Sequence, residues 1–190
     1  VTITATPKDG YEVESITVNG EYFGKAEKST IAKITQNTNI AVTFAPKRIN
    51  PFTDVTNSDW FYDNVIWVNQ NGLMNGISDN MFGPQTDVTR AMLVTILYRA
   101  EGEPEVDNVS AFADIDNSSY YKNAVVWAEK NGIVKGYSET EFAPNDSITR
   151  EQIAAIMFRY AKYKEYDVSA GESTNILSYT DAESVSEYAI

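Results

Sequence analysis

Arg90 and Arg150 lie sixty residues apart, and each follows a threonine at the start of a stretch with helical periodicity. In DVTRAMLVTILYRA, residues 87–100, Thr89 is a good N-cap, and Leu93, Ile96, Leu97 and Ala100 share one helical face. SITREQIAAIMFRYA repeats the arrangement, with Thr149 ahead of Arg150. Each arginine is then the first helical residue, where the macrodipole disfavours a cation by roughly a few tenths of a kcal/mol. The same helix end offers free backbone N–H groups, and a guanidinium adds a planar fork that matches a carboxylate. The chemistry is that of an anion grip. Its anion is either an acidic ligand from outside or an internal partner such as Asp54 or Asp114. Arg99 and Arg159, in the last turns of the same helices, complement the dipole and read as ordinary.

Other chemistry is largely excluded. The chain has no histidine and no cysteine, which removes the commonest general base, the commonest zinc ligand and every thiolate site. No carboxylate pair stands out for glycan cleavage. The run Asp114-Ile115-Asp116-Asn117-Ser118 opens like a calcium loop, but positions six and twelve are Ser119 and Val125, so it is not an EF-hand. No metal site and no cofactor are expected. Trp60 and Tyr120 offer flat faces either to a sugar ring or to packing, whereas Trp67 and Trp127, at helical spacing, read as core. Asp54 and Asp114 read first as caps on the first helix or its approach loop, and Gly76 and Gly136 as suppliers of positive φ or of room for a sugar near the backbone.

The formal charge of −12 is unevenly spread. Residues 1–50 are net +1, residues 51–110 net −7 and residues 111–170 net −2. Without a basic stripe the chain is a poor nucleic-acid binder, and no apolar run is long enough for membrane insertion. In residues 51–110 the only cations are Arg90 and Arg99. Long-range attraction therefore cannot recruit an anion there, and a local fork must do so.

These residues are positioned by a duplication. Residues 52–99 align without a gap on residues 112–159, and 16 of 48 positions are identical. The matches include Phe52/Phe112, Asp54/Asp114, Trp67/Trp127, Gly72/Gly132, Gly76/Gly136, Phe82/Phe142, Pro84/Pro144 and both Thr-Arg pairs. Such self-similarity marks repeated structural units. In each, a helix is predicted from near Ser58 or Ser118 to Asn71 or Asn131, stopped by Gly72 or Gly132. A Gly/Pro loop follows, and then the Thr-capped helix, ending near Gly102 or around Tyr163. Ahead of the repeats, TITAT, VESITVNGEYF and NIAVTF alternate in strand period, with Asn19-Gly20 as a hairpin turn.

The expected organisation is a small β module over 1–46, a linker over 47–51, a first repeat over 52–106 and a second over 107–170. YTDAESVSEYAI begins a third copy within 171–190, with Tyr188 where Trp60 and Tyr120 sit. Stacked repeats bury their faces on neighbours. A complete third copy is therefore expected in the intact protein, along with self-association through the incomplete module. Val1 falls inside a strand pattern, so the absence of a targeting signal carries little meaning.

The order Phe-x-Asp, aromatic pair, helix, Asn-Gly, Phe-x-Pro and Thr-Arg resembles the S-layer homology repeat. Residues 1–45 resemble the divergent internalin B-type repeats of surface proteins, through GYEVESITVNG and IAVTFA. The fold class is then multidomain: a small all-β N-terminal module plus mainly α-helical helix-loop-helix units, a pseudo-threefold module incomplete in this chain. The resemblance implies a non-catalytic anchor that binds acidic, often pyruvylated, secondary cell-wall polysaccharide at the bacterial cell surface. It implies ligand contact through Arg90, Arg150, Trp60, Tyr120, Asp54, Asp114, Gly76 and Gly136. The alternative is a protein–protein assembly module of a surface array. This chain departs from the family's Thr-Arg-Ala-Glu hallmark, with Met92 and Gln152 in the fourth position. Gln152 can still close a capping box, whereas Met92 cannot.

Overall fold

The computed structural model describes residues 1–107, 109–173 and 176–189. Asn108, within the expected second repeat, and Thr174, Asn175 and Ile190, within the expected third, lie outside the described residues. The chain divides into two compact units, Val1–Pro51 and Phe52–Ile190.

The first unit is all β. Strand β1 (Thr2–Thr4) pairs antiparallel with β4 (Lys28–Thr30). Strand β2 (Tyr11–Val18) runs antiparallel between β3 (Glu21–Gly24) and β5 (Ile40–Pro46). The β2–β3 hairpin turns at Asn19 and Gly20, both at positive φ (54° and 87°), as a tight primed turn requires. A β-bulge between Val13 and Ser15 shifts the alternation along β2, so that Val13 and Ile16 both enter a small core with Ala5, flanked by Ile3, Ile40 and Val42.

The second unit is helical. Helix α1 spans Tyr62–Gln70, α2 Arg90–Ala100, α3 Lys122–Lys130, α4 Arg150–Tyr163 and α5 Ser169–Ser173. The predicted starts at Ser58 and Ser118 are four residues early. Those serines do not cap: Ser58 Oγ hydrogen-bonds Thr56 Oγ1, and Ser118 donates both its amide and its hydroxyl to Asp116. Residues 56–61 and 116–121 instead form turns ahead of the helices. The stops fall as expected. Gly72 and Gly132 sit at φ 69° and 68°, and their amides donate back to Asn69 and Glu129. Thr89 Oγ1 accepts from the Met92 amide, and Thr149 Oγ1 from that of Gln152. Gln152 Oε1 completes the capping box on the Thr149 amide, an option Met92 lacks.

The main core forms between repeats. Ala91, Val94, Leu97 and Tyr98 of α2 cluster with Ala124, Val125, Trp127 and Ala128 of α3, together with Phe142 and Ile156. Glu101, the C-cap of α2, adds a polar clasp to α4, accepting from Tyr160 Oη at 2.5 Å and from Lys164 Nζ at 3.0 Å. The Tyr160 hydroxyl, with Lys164, holds the Glu101 carboxyl below its usual range.

Trp127 is 3% exposed, with the Tyr98 and Tyr163 rings at 5.8 and 5.6 Å. Its counterpart Trp67, expected in the core, is 55% exposed and meets no comparable ring among the described residues. Helical spacing identifies a face that packs, and among the described residues it is the second copy's face that meets the α2 of the repeat before it. Trp127→Ala is expected to destabilise the helical unit by about 3–5 kcal/mol, and Trp67→Ala by less than about 1 kcal/mol. Urea unfolding of the two variants checks this; equal losses would contradict the assigned burial.

Candidate functional site

Arg90 does not stand open at a free helix end. Its side chain is 3% exposed. It crosses to the second repeat, where Nε donates to the Phe142 carbonyl at 2.8 Å and one Nη to the Lys135 carbonyl at 3.0 Å. The guanidinium carbon lies 4.6 Å from the centre of the Tyr137 ring and 4.7 Å from that of Phe142. The α2 amides are also taken: Arg90 N–H donates to Asp146 O, Ala91 N–H to Pro144 O, and Met92 N–H to Thr89. The expectation of a solvent-facing fork beside free amides is corrected for Arg90. Among the described residues no carboxylate lies within salt-bridge distance of it. Burial pushes its pKa down, opposed by the fields of Tyr137 and then Asp146. Arg150, by contrast, is exposed.

Asp54 and Asp114 serve the loops. Asp54 accepts the amides of Phe82 and Gly83, both at 2.8 Å, and the first of these leads in holding its carboxyl below its usual range. Asp114 accepts those of Phe142 and Ala143 at 2.9 and 2.7 Å. Each aspartate thus ties the repeat's opening to its Phe-x-Pro loop rather than to its first helix. Gly76 has φ 82°, as expected. Gly136 is not at positive φ, which corrects that expectation. A Cβ at Gly136 would collide with Glu141 O, Ser138 O and the Phe112 ring; one at Gly76 would meet Met81 O and the Phe52 ring. Close approach is what both positions share.

Two grooves occupy equivalent places in the two repeats. The first, of about 490 Å³, lies between the 73–88 loop and Met92, Thr95, Ile96 and Arg99 of α2, with Tyr120 at its edge. The second, of about 310 Å³, lies between Lys135, Gly136 and Tyr137 and the α4 residues Gln152, Ala155, Ile156 and Arg159. Tyr188 stands at its edge and Arg90 contributes to its lining. Of the expected site residues, Arg90 and Gly136 come together in the second groove and Tyr120 and Gly76 in the first. Arg150, Trp60, Asp54 and Asp114 line neither. Trp60, 87% exposed, rests edge-on against Phe61.

The helix dipole alone explains Arg99 and Arg159 in the sequence, yet each lines a groove. The available signal was their recurrence at the repeat offset, nine residues after Arg90 and Arg150.

Residues 51–91 and 111–154 match the S-layer homology domain. The chain carries two S-layer homology domains. Over 139 residues, 73% of its length, it is 34% identical to an endoglucanase of Bacillus sp. (strain KSM-635). Over 147 residues, 75% of its length, it is 29% identical to the exoglucanase XynX of Acetivibrio thermocellus. Over 115 residues, 57% of its length, it is 32% identical to the surface-layer 125 kDa protein of Lysinibacillus sphaericus. The chain spans only 14%, 13% and 10% of these relatives. S-layer homology domains are cell-wall anchoring modules, and the matches mark an extracellular protein of the cell surface. Among the described residues no helix is long and apolar enough to cross a membrane.

The two family arginines should differ in what they stabilise. Arg90→Ala strands two loop carbonyls and removes a ring-stacked cation, for an expected loss of about 2–4 kcal/mol. Arg150→Ala should cost less than about 0.5 kcal/mol. Denaturant unfolding of the two single variants measures both, and similar values would overturn the assignment.

Proposed function

We propose that the S-layer homology domains are a non-catalytic anchor, holding a surface protein on the cell envelope by binding an acidic, pyruvylated secondary cell-wall polysaccharide in the grooves. The observation that carries this reading is the Arg90 guanidinium, a buried positive charge with carbonyl and ring partners but, among the described residues, no contacting carboxylate, set into the lining of an open groove. A carboxylate or phosphate on the polymer would supply the missing anion. Tyr120 and Tyr188 are the groove-edge faces for sugar rings, and Gly76 and Gly136 keep the loops beneath them compact. Arg150 contacts acidic groups on the polymer outside the grooves. In this reading Trp60 is a second exposed face for a sugar, Asp54 and Asp114 support the loops, and the β unit is a spacer.

Attraction at a distance contributes little, because the chain carries −12 overall and charges beyond about 8 Å are screened at physiological salt. Binding should therefore survive moderate salt.

A second reading, assembly of a surface array by protein–protein contact, draws on exposed Trp67, Met157 and Phe158. Sedimentation with cell walls separates the two. The anchor is expected to pellet with native walls and to stay in solution once mild acid has removed the wall polymer; equal pelleting with stripped walls would favour assembly. Arg150→Ala should weaken binding to purified polymer about two- to fivefold, the scale of one exposed charge contact. Unchanged affinity would remove Arg150 from the site.

A further inference from the structure

Resting on that reading, we propose that, of the two grooves, only the second-repeat one takes an acidic group of the polymer, and that Lys135 and Tyr137 set this selectivity. The two grooves occupy equivalent positions, but their linings have diverged at the residues that would meet charge. At the offset of sixty, Lys135 replaces Asn75, Tyr137 replaces Ile77 and Gln152 replaces Met92.

The second groove draws Arg90, Lys135 and Arg159 together, and its lining includes no aspartate or glutamate. Arg90 is the central cation, because its burial reduces the screening of its charge. Tyr137 covers one face of that guanidinium. Its hydroxyl accepts from Gln152 Nε2 at 3.3 Å, which leaves its own proton for an acceptor in the groove. Across from it, the Tyr188 hydroxyl donates to Glu151 at 2.8 Å, fixing that ring at the edge. The arrangement combines a cationic floor, a free hydroxyl donor and two aromatic rings, which suits a sugar bearing a carboxylate.

The first groove lacks these features. Its one cation, Arg99, is already engaged: Nη1 donates to the Leu73 carbonyl at 3.2 Å and Nε lies 3.8 Å from Glu103. Asp87 adds a negative charge, and Leu73, Met74, Ile77, Met92 and Ile96 make the wall apolar. An anion placed there would lose water without compensating donors.

Calorimetry on the full chain tests the assignment, using the oligosaccharide repeat released from purified wall polymer and the same oligosaccharide with its carboxyl groups reduced to alcohols. The parent is expected to favour the acidic form about tenfold, the scale of one charge-assisted hydrogen bond. Lys135→Asn/Tyr137→Ile should cut that preference to about threefold or less, the remainder coming from Arg90. If this variant melts like the parent and keeps the tenfold preference, the proposal is overturned. If it does not fold, Lys135→Asn alone decides, since that side chain is exposed; an undiminished preference again overturns the proposal. A parent that binds neither form sinks the anchoring function itself. A parent that binds both equally leaves the anchor standing and removes only the selective groove.

Discussion

A guanidinium withdrawn from water without a carboxylate beside it is costly, by several kcal/mol per uncompensated ion. Arg90 offsets that cost with the Phe142 and Lys135 carbonyls and two aromatic faces. Much of the helical unit's geometry follows from this requirement. The 135–142 loop presents two carbonyls to that one side chain. Asp114 holds the same loop from the other side through the amides of Phe142 and Ala143, so its backbone is gripped by a cation and an anion at once. The groove beside it inherits a positive floor that no carboxylate among the described residues neutralises by contact.

Equivalent residues occupy unequal environments because one repeat completes the next. Phe142 is fully buried and Trp127 nearly so. The matching Phe82 is half-buried, and Trp67 is exposed. The difference lies in what stands before each copy: α2 and Arg90 cover the second repeat, and among the described residues nothing equivalent covers the first. Stability in such an array is built largely at the junction. Here the junction combines the α2–α3 core, the Arg90 strut and the Glu101 clasp to Tyr160 and Lys164.

Much of this was legible in the sequence, for identifiable reasons. The ungapped offset of sixty revealed the duplication, the Thr-Arg pairs marked the second helices, and Asn19-Gly20 marked the hairpin. Arg90 stands out in the sequence because a helix start disfavours a cation, and in the structure it is a side chain that joins the two repeats. Its partners were not legible, since backbone carbonyls 45 and 52 residues away leave no pattern in side-chain types. An anion grip needs free amides at the helix end, and at α2 those of Arg90 and Ala91 go to the neighbouring repeat's backbone and that of Met92 to Thr89. Gly136 was read through φ, although crowding by Phe112 and two carbonyls is what excludes a side chain there. The aspartates read as caps on the first helix or its approach loop, whereas they hold a loop 28 residues on, a distance at which no local rule operates.

The central claim is that Arg90 is locked into the second repeat in the free protein and keeps its charge available to the groove beside it. Its Nε–H is the most direct reporter, being the proton donated to Phe142. Hydrogen exchange at the arginine Nε sites, followed by nitrogen-15 NMR, should show Arg90 exchanging far more slowly than Arg150, with its resonance shifting when acidic wall oligosaccharide is added. Exchange at Arg90 as fast as at Arg150, or a resonance indifferent to a ligand that demonstrably binds, would contradict the account.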